Sequence, residues 1–259
     1  MEEKKVMENF KLNFLGNGSC FNTEFGNNSA YYKVIKMENE EVLFDEKIYA
    51  KNADSCTVKL VIIDCGESVF ERLRKNNILD GVNEVDIIIT HLHSDHAGSL
   101  PSVIFYLNFV LGIKPNIIFQ GNIEQYLDIC SVQRELYNHK SASETDYIPI
   151  KVNHGNVKDA CGYIINLPTG NAIYYSGDSN DIPVSVLDSF FGKDKSDAYK
   201  PICRIYQDVT RFENEMHMNV HKLEKIISKE YRDRVYCMHF DDEETVSIAK
   251  KYGFDVAII

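Results

Sequence analysis

The chain has 259 residues, 44% of them hydrophobic, enough to bury one large core, and it reads as a single domain over 1–259. A net charge of −11 opposes the broad basic face that a large RNA or DNA partner needs. Seven scattered cysteines with no C-x-x-C pair exclude a disulfide framework or a zinc ribbon.

Strand-like runs fall at 11–15, 30–37, 41–43, 58–64, 85–90, 116–119, 147–153, 161–167, 171–176, 202–208, 234–238 and 255–259. Helix-like stretches fall at 68–76, 97–112, 123–138, 184–191, 221–231 and 242–252. An early group of strands followed by strand–helix alternation predicts a layered α/β domain. Gly16-Asn17-Gly18 lacks the third glycine and early helix of a dinucleotide loop, so it reads as a tight turn after the first strand. The polar stretch 138–146 reads as a mobile loop. The opening Met-Glu-Glu-Lys-Lys leads into no signal-peptide core, and the apolar stretch 100–113 is broken by Pro101, Ser102 and Asn108. These features predict a cytoplasmic protein without a membrane partner.

The chemistry is concentrated in Thr90-His91-Leu92-His93-Ser94-Asp95-His96. An apolar β-branched run delivers three of the chain's eight histidines to one strand end. Residues i and i+2 of an extended segment point the same way, so His91 and His93 can share one metal. Asp95 and His96 lie beyond the strand, where the chain can turn toward a second. Imidazole and carboxylate suit Zn²⁺ and similar cations. Three further polar residues directly follow apolar strands: His154, Asp178 and His239. They complete a chemically sensible set, with His91, His93 and His154 around one metal, Asp95, His96 and His239 around another, and Asp178 bridging.

These motifs, in this order, resemble the metallo-β-lactamase superfamily. The resemblance implies an αββα four-layer sandwich with a dinuclear site at one edge, holding two divalent ions, Zn²⁺ or Mn²⁺. It also implies that Asp64, in Ile62-Ile63-Asp64-Cys65-Gly66, hydrogen-bonds a ligand imidazole, a position equally compatible with a turn-initiating aspartate. Asp95 would orient the hydroxide formed between the metals. The segment 207–223 resembles the ribonuclease Z-like branch, in which an acid at a strand end precedes a loop histidine that meets the scissile phosphate. Asp208 and His217 match that pair, with His221 as the alternative.

Ribonuclease Z carries a long tRNA-gripping arm between the third and fourth metal motifs. Residues 155–177 here hold only two strands and the turn at Pro168-Thr169-Gly170, which argues against tRNA processing. The compact members that this chain resembles are the anti-Pycsar phosphodiesterases, through its Asn-Gly-Ser-Cys-Phe-Asn-Thr opening and its Asp-Cys-Gly-Glu-Ser-Val-Phe-Glu stretch. That resemblance implies a homodimer hydrolysing 3′,5′-cyclic mononucleotides, cyclic CMP and cyclic UMP among them, to linear monophosphates. A ribonuclease Z-like endonuclease, a lactonase or thioesterase, and a degenerate binding scaffold are the competing readings. Tyr106, Phe109, Tyr137 and Tyr147 are aromatic candidates for stacking a base, although core packing is the commoner use of such residues.

Overall fold

A computed structural model describes residues 10–193 and 200–259. Two sheets form the centre. The first holds β1 (Asn13–Gly16), β2 (Ser29–Lys36), β3 (Glu41–Leu43), β4 (Thr57–Ile63), β5 (Glu84–Ile88), β6 (Asn116–Ile118) and β7 (Asn138–Lys140) in the order β1-β2-β4-β5-β6-β7. β1 and β3 both pair with β2, at its start and its end respectively. The second sheet holds β8 (Tyr147–Lys151), β9 (Cys161–Asn166), β10 (Ala172–Tyr175), β11 (Ile202–Asp208), β12 (Val235–Met238) and β13 (Asp255–Val256), in reverse numerical order.

Side-chain alternation along the central strands decides the layering. On β4, Val61 and Ile63 enter the cluster between the sheets, while Leu60 and Ile62 enter the cluster on the outer face. On β10, Ile173 and Tyr175 face inward and Ala172 and Tyr174 outward. Both faces of each sheet are therefore apolar and need covering. The outer face of the first sheet is covered by α2 (Val69–Lys75), α4 (Leu100–Phe109) and α5 (Ile123–Ile129). The outer face of the second is covered by α6 (Val184–Phe190), α7 (Val220–Ile226) and α8 (Glu243–Lys251). The result is the αββα sandwich, with helices outside two stacked sheets. Each fully buried isoleucine or leucine in these clusters contributes about 1.5–3 kcal/mol.

Several boundaries differ from the sequence expectation. The helix expected over 123–138 ends at Ile129, because Ser131 takes a left-handed φ of 59° and Val132 folds back to donate to the Leu127 carbonyl. Residues 138–140, expected within a loop, pair in parallel with β6 as β7. The helix expected over 97–112 divides into the single turn α3 (Ser94–Ala97) and α4, with Gly98 and Ser99 between them. The helix expected over 221–231 stops at Ile226, and a 3₁₀ segment, Lys229–Arg234, follows. The helix α1 (Glu46–Asn52), which the pattern does not announce, is capped by Asp45 and buries no residue.

β4, β5, β6 and β7 run parallel, as do β10, β11, β12 and β13. β8 and β10 both run antiparallel to β9, so they share a direction. The C-terminal ends of the strands carrying the chemistry thus gather at one edge of the sandwich, where loops can converge without burying unpaired backbone.

Candidate metal centre

Seven of the candidate ligands lie together at that edge. His91, His93 and His154 form one group, and Asp95, His96, Asp178 and His239 form a second; all but His93 are buried. In the first, His91 Nε2 lies 2.9 Å from His93 Nδ1, and His154 Nε2 lies 3.5 Å from that same nitrogen. In the second, His96 Nε2 lies 3.2 Å from both Asp95 Oδ2 and Asp178 Oδ1. His239 Nε2 lies 3.5 and 3.4 Å from those two oxygens. Asp178 joins the groups: its Oδ1 belongs to the second, while its Oδ2 lies 3.9 Å from His91 Nε2 and 3.8 Å from His154 Nε2.

Local structure explains these positions. His93 is extended at the start of α3, whose one turn carries Asp95 and His96 back across the strand end. Asp64 and His239 hold left-handed backbones, φ 65° and 60°, conformations that cost free energy and survive where the surroundings over-determine them. At Asp64 the backbone N–H donates to the Ile88 carbonyl and the Ser29 hydroxyl donates to its own carbonyl.

The hydrogen bonds behind the ligands fix their tautomers. Asp64, fully buried, accepts from His96 Nδ1 at 2.9 Å, from the Thr90 N–H at 2.8 Å and from the Thr90 hydroxyl at 3.0 Å. His154 Nδ1 donates to the Met216 carbonyl at 3.0 Å. The Thr90 hydroxyl, its proton given to Asp64, can accept from His91 Nδ1 at 3.2 Å. Each of these imidazoles therefore keeps its lone pair on Nε2, toward the centre of its group. His96 Nε2, His239 Nε2 and Asp178 Oδ1 are buried and not in hydrogen-bonding geometry with any partner. Lone pairs and carboxylate oxygens that converge in a buried space need a cation, so the residues fit a divalent metal in each group.

The titration directions agree with that crowding. Burial pushes Asp178 up, but electrostatic attraction to the neighbouring imidazole groups outweighs it and holds it well below the carboxylate range. Burial also opposes ionisation of Asp95, but the adjacent His239 and His96 imidazoles prevail and hold it below the carboxylate range. Burial lowers His91 and His154, which favours the neutral, ligating form.

Beside the second group stands His217. Its Nδ1 lies 2.7 Å from Asp208 Oδ2 at the end of β11, and its ring stacks on His239 with centroids 5.0 Å apart. Burial disfavours its charge, but the hydrogen bond and charge of Asp208 raise its pKa to about 9. Its loop is closed at the base by Thr210 pairing with Met218 and Val220, and Asn214 Oδ1 accepts from the His217 and Met216 N–H groups. Asp178, Asp208, His217 and His239 also fall within one ligand-sized cluster.

Other sequence candidates lie elsewhere. His221 is exposed on α7 and bonds the Tyr252 hydroxyl at 2.6 Å. Tyr137 is core, and Tyr147 is buried with its hydroxyl on Asp86. Tyr106 packs between Phe70 and the Arg74 guanidinium, and Phe109 stacks on Phe105. Sequence reasoning passed over the Met216 carbonyl, which as backbone leaves no trace in composition. It also passed over Thr90, whose place directly before His91-x-His93 was the available signal.

Residues 44–145 match the family described as Anti-Pycsar protein Apyc1. The Anti-Pycsar protein Apyc1 of Bacillus phage BSP38 is 24% identical over 92% of this chain and 91% of its own length. That of Bacillus phage 010DV004 is 26% identical over 90% of this chain and 89% of its own. Among solved structures, the metallo-β-lactamase fold protein YhfI from Bacillus subtilis superposes with a TM-score of 0.64 at 12% identity, covering 96% of this chain and 95% of that one. Among the described residues no helix is long and apolar enough to cross a membrane. The chain has the metallo-β-lactamase fold and is similar, along nearly its whole length, to the anti-Pycsar Apyc1 proteins.

Proposed function

We propose that residues 1–259 form one divalent-metal-dependent phosphodiesterase domain that opens 3′,5′-cyclic nucleoside monophosphates to linear monophosphates. In the cytoplasm of a phage-infected cell this would counter Pycsar signalling, in keeping with the names of the chain's relatives. The observation that carries the reading is the buried pair of ligand groups joined by Asp178, with the Asp208–His217 pair standing beside them. A lactonase or thioesterase would leave that last pair without a task.

His91, His93, His154 and Asp178 would hold one ion, and Asp95, His96, His239 and Asp178 the other. Two such ions, most simply Zn²⁺, would supply Lewis acidity to the phosphate and make water a nucleophile near neutral pH. Asp95 accepts a hydrogen bond from the attacking water and so aims its lone pair at phosphorus. His217 acts from the other side. With Nδ1 committed to Asp208, its remaining ring nitrogen, Nε2, is free to give a proton to the departing ester oxygen. The carboxylate of Asp208 stabilises the imidazolium before that transfer, and the partly exposed ring recovers its proton from solvent. General acid catalysis of this kind contributes about 10²–10⁴-fold.

The test is ³¹P NMR of cyclic AMP incubated with metal-loaded protein in ¹⁸O-enriched water. Expected is a linear monophosphate whose phosphorus resonance is shifted by one directly bonded ¹⁸O. A cyclic nucleotide that stays intact with both metals bound would overturn the proposal.

A further inference from the structure

Phe21 is 93% exposed, the most exposed large hydrophobic side chain among the described residues. It sits in a loop that is otherwise tightly held. Gly18 N–H donates to the Gly26 carbonyl at 2.9 Å, Asn22 N–H to Ser19 at 3.0 Å and Gly26 N–H to Asn22 at 3.2 Å. The loop is fastened to the chain that carries His239. Ser19 N–H donates to the Phe240 carbonyl at 3.0 Å, and the Asn22 amide reaches the Phe240 and Asp241 carbonyls at 3.2 Å each. Ser19 is buried and Phe25 packs against the outer core of the second sheet, yet Phe21 is turned into water. Its neighbour Cys20 lies within electrostatic reach of the ligands. Burial raises the thiol pKa first, and the Asp95 and Asp178 carboxylates raise it further. A held loop thus presents an uncovered aromatic ring two residues from the Ser19–Phe240 hydrogen bond, on the loop fastened beside the strand end that carries His239.

We propose that Phe21 is the platform on which the substrate's nucleobase stacks. This rests on the phosphodiesterase reading and deepens it. Every base has a π-face, so stacking tolerates all four bases and supplies affinity without hydrogen-bond readout. The substrate class is then any 3′,5′-cyclic nucleotide, purine or pyrimidine, and the contribution of the ring is roughly 5- to 150-fold in affinity.

Steady-state kinetics of wild type, Phe21→Ala and Phe21→Trp test this with cyclic AMP, GMP, CMP and UMP and with a base-free cyclic ribose phosphate. Expected in Phe21→Ala is a KM raised roughly 5- to 150-fold for all four nucleotides, with the loss concentrated in KM. Phe21→Trp should restore it, and the base-free compound should not distinguish Phe21→Ala from wild type. An unchanged KM for the nucleotides, or an equal loss on the base-free compound, would overturn the platform while leaving the phosphodiesterase reading intact. If metal-loaded wild type hydrolyses no cyclic nucleotide, the parent reading falls instead. Quenching of an etheno-adenosine monophosphate's fluorescence on binding then decides the platform. A quench lost in Phe21→Ala keeps it, and no quench with wild type removes it.

Discussion

Replacing Asp64 with asparagine tests how the buried hydrogen bonds control the metal centre. The substitution keeps volume and shape, and asparagine tolerates the left-handed φ of 65° found there. What changes is the atom facing His96. Asp64 Oδ1 takes the Thr90 N–H at 2.8 Å, so the amide oxygen should stay with Thr90 and the NH₂ should face His96 Nδ1. An NH₂ can only donate, so His96 must move its proton to Nε2 and aim it at Asp95 and Asp178, each 3.2 Å away. The second ligand group then presents a proton where it presented a lone pair. Removing the partner behind a metal-bound imidazole typically costs about 10–100-fold in metal affinity, or about 1.4–2.7 kcal/mol. A tautomer forced the wrong way should reach the upper end. The assay is competitive metal titration with elemental analysis, beside circular dichroism to establish folding. The expected result is a folded protein that keeps one ion at wild-type affinity and loses the other. Two ions bound at unchanged affinity would refute the tautomer argument.

Other outcomes follow from the same geometry. Asp208→Asn removes the carboxylate that raises His217 to about 9. Because the protonated ring is the acid, kcat should fall as pH rises through the His217 pKa, and in the variant that fall should begin at lower pH. A kcat–pH profile that does not move would exclude this role for Asp208. Gly155, at φ 53°, lies under the Met216 sulfur, which an added Cβ would overlap. Gly155→Ala should therefore push the Met216 side chain aside and strain a left-handed backbone, costing about 1–3 kcal/mol in stability, as read by thermal melts; an unchanged melting temperature would exclude that strain. Chelation should lower the melting temperature, since an ion at 100 times its Kd stabilises the folded state by about 2.7 kcal/mol per site. An unchanged melt would mean that these groups hold no ion in the folded protein.

What could be read from sequence has a physical pattern. β5 and β12 were legible because a β-branched or apolar run ending in a polar residue has few other uses, and the residues that follow them lie together in the structure. The early end of α5 was not legible, since nothing in Cys130-Ser131-Val132 announces a left-handed serine. β7 reads as polar because, at a sheet edge, Asn138 and His139 remain exposed while their backbones pair. α1 buries nothing and so leaves no apolar stripe. Within the candidate site, the side chains proposed to bind metal or transfer a proton could be picked out by type and position. The Met216 carbonyl and the exposed ring of Phe21 could not, because one is backbone and the other is distinguished only by where the loop turns it.

The central claim is that this site cleaves cyclic phosphodiesters, and chromatography of reaction products reaches it most directly. Metal-loaded protein would be incubated with cyclic AMP, GMP, CMP and UMP, beside His217→Ala with its metal content verified as unchanged. The account predicts linear monophosphates from the wild-type protein and a rate lower by about 10²–10⁴-fold in the variant. Intact cyclic nucleotides from a protein carrying two ions, or equal turnover by the variant, would contradict it.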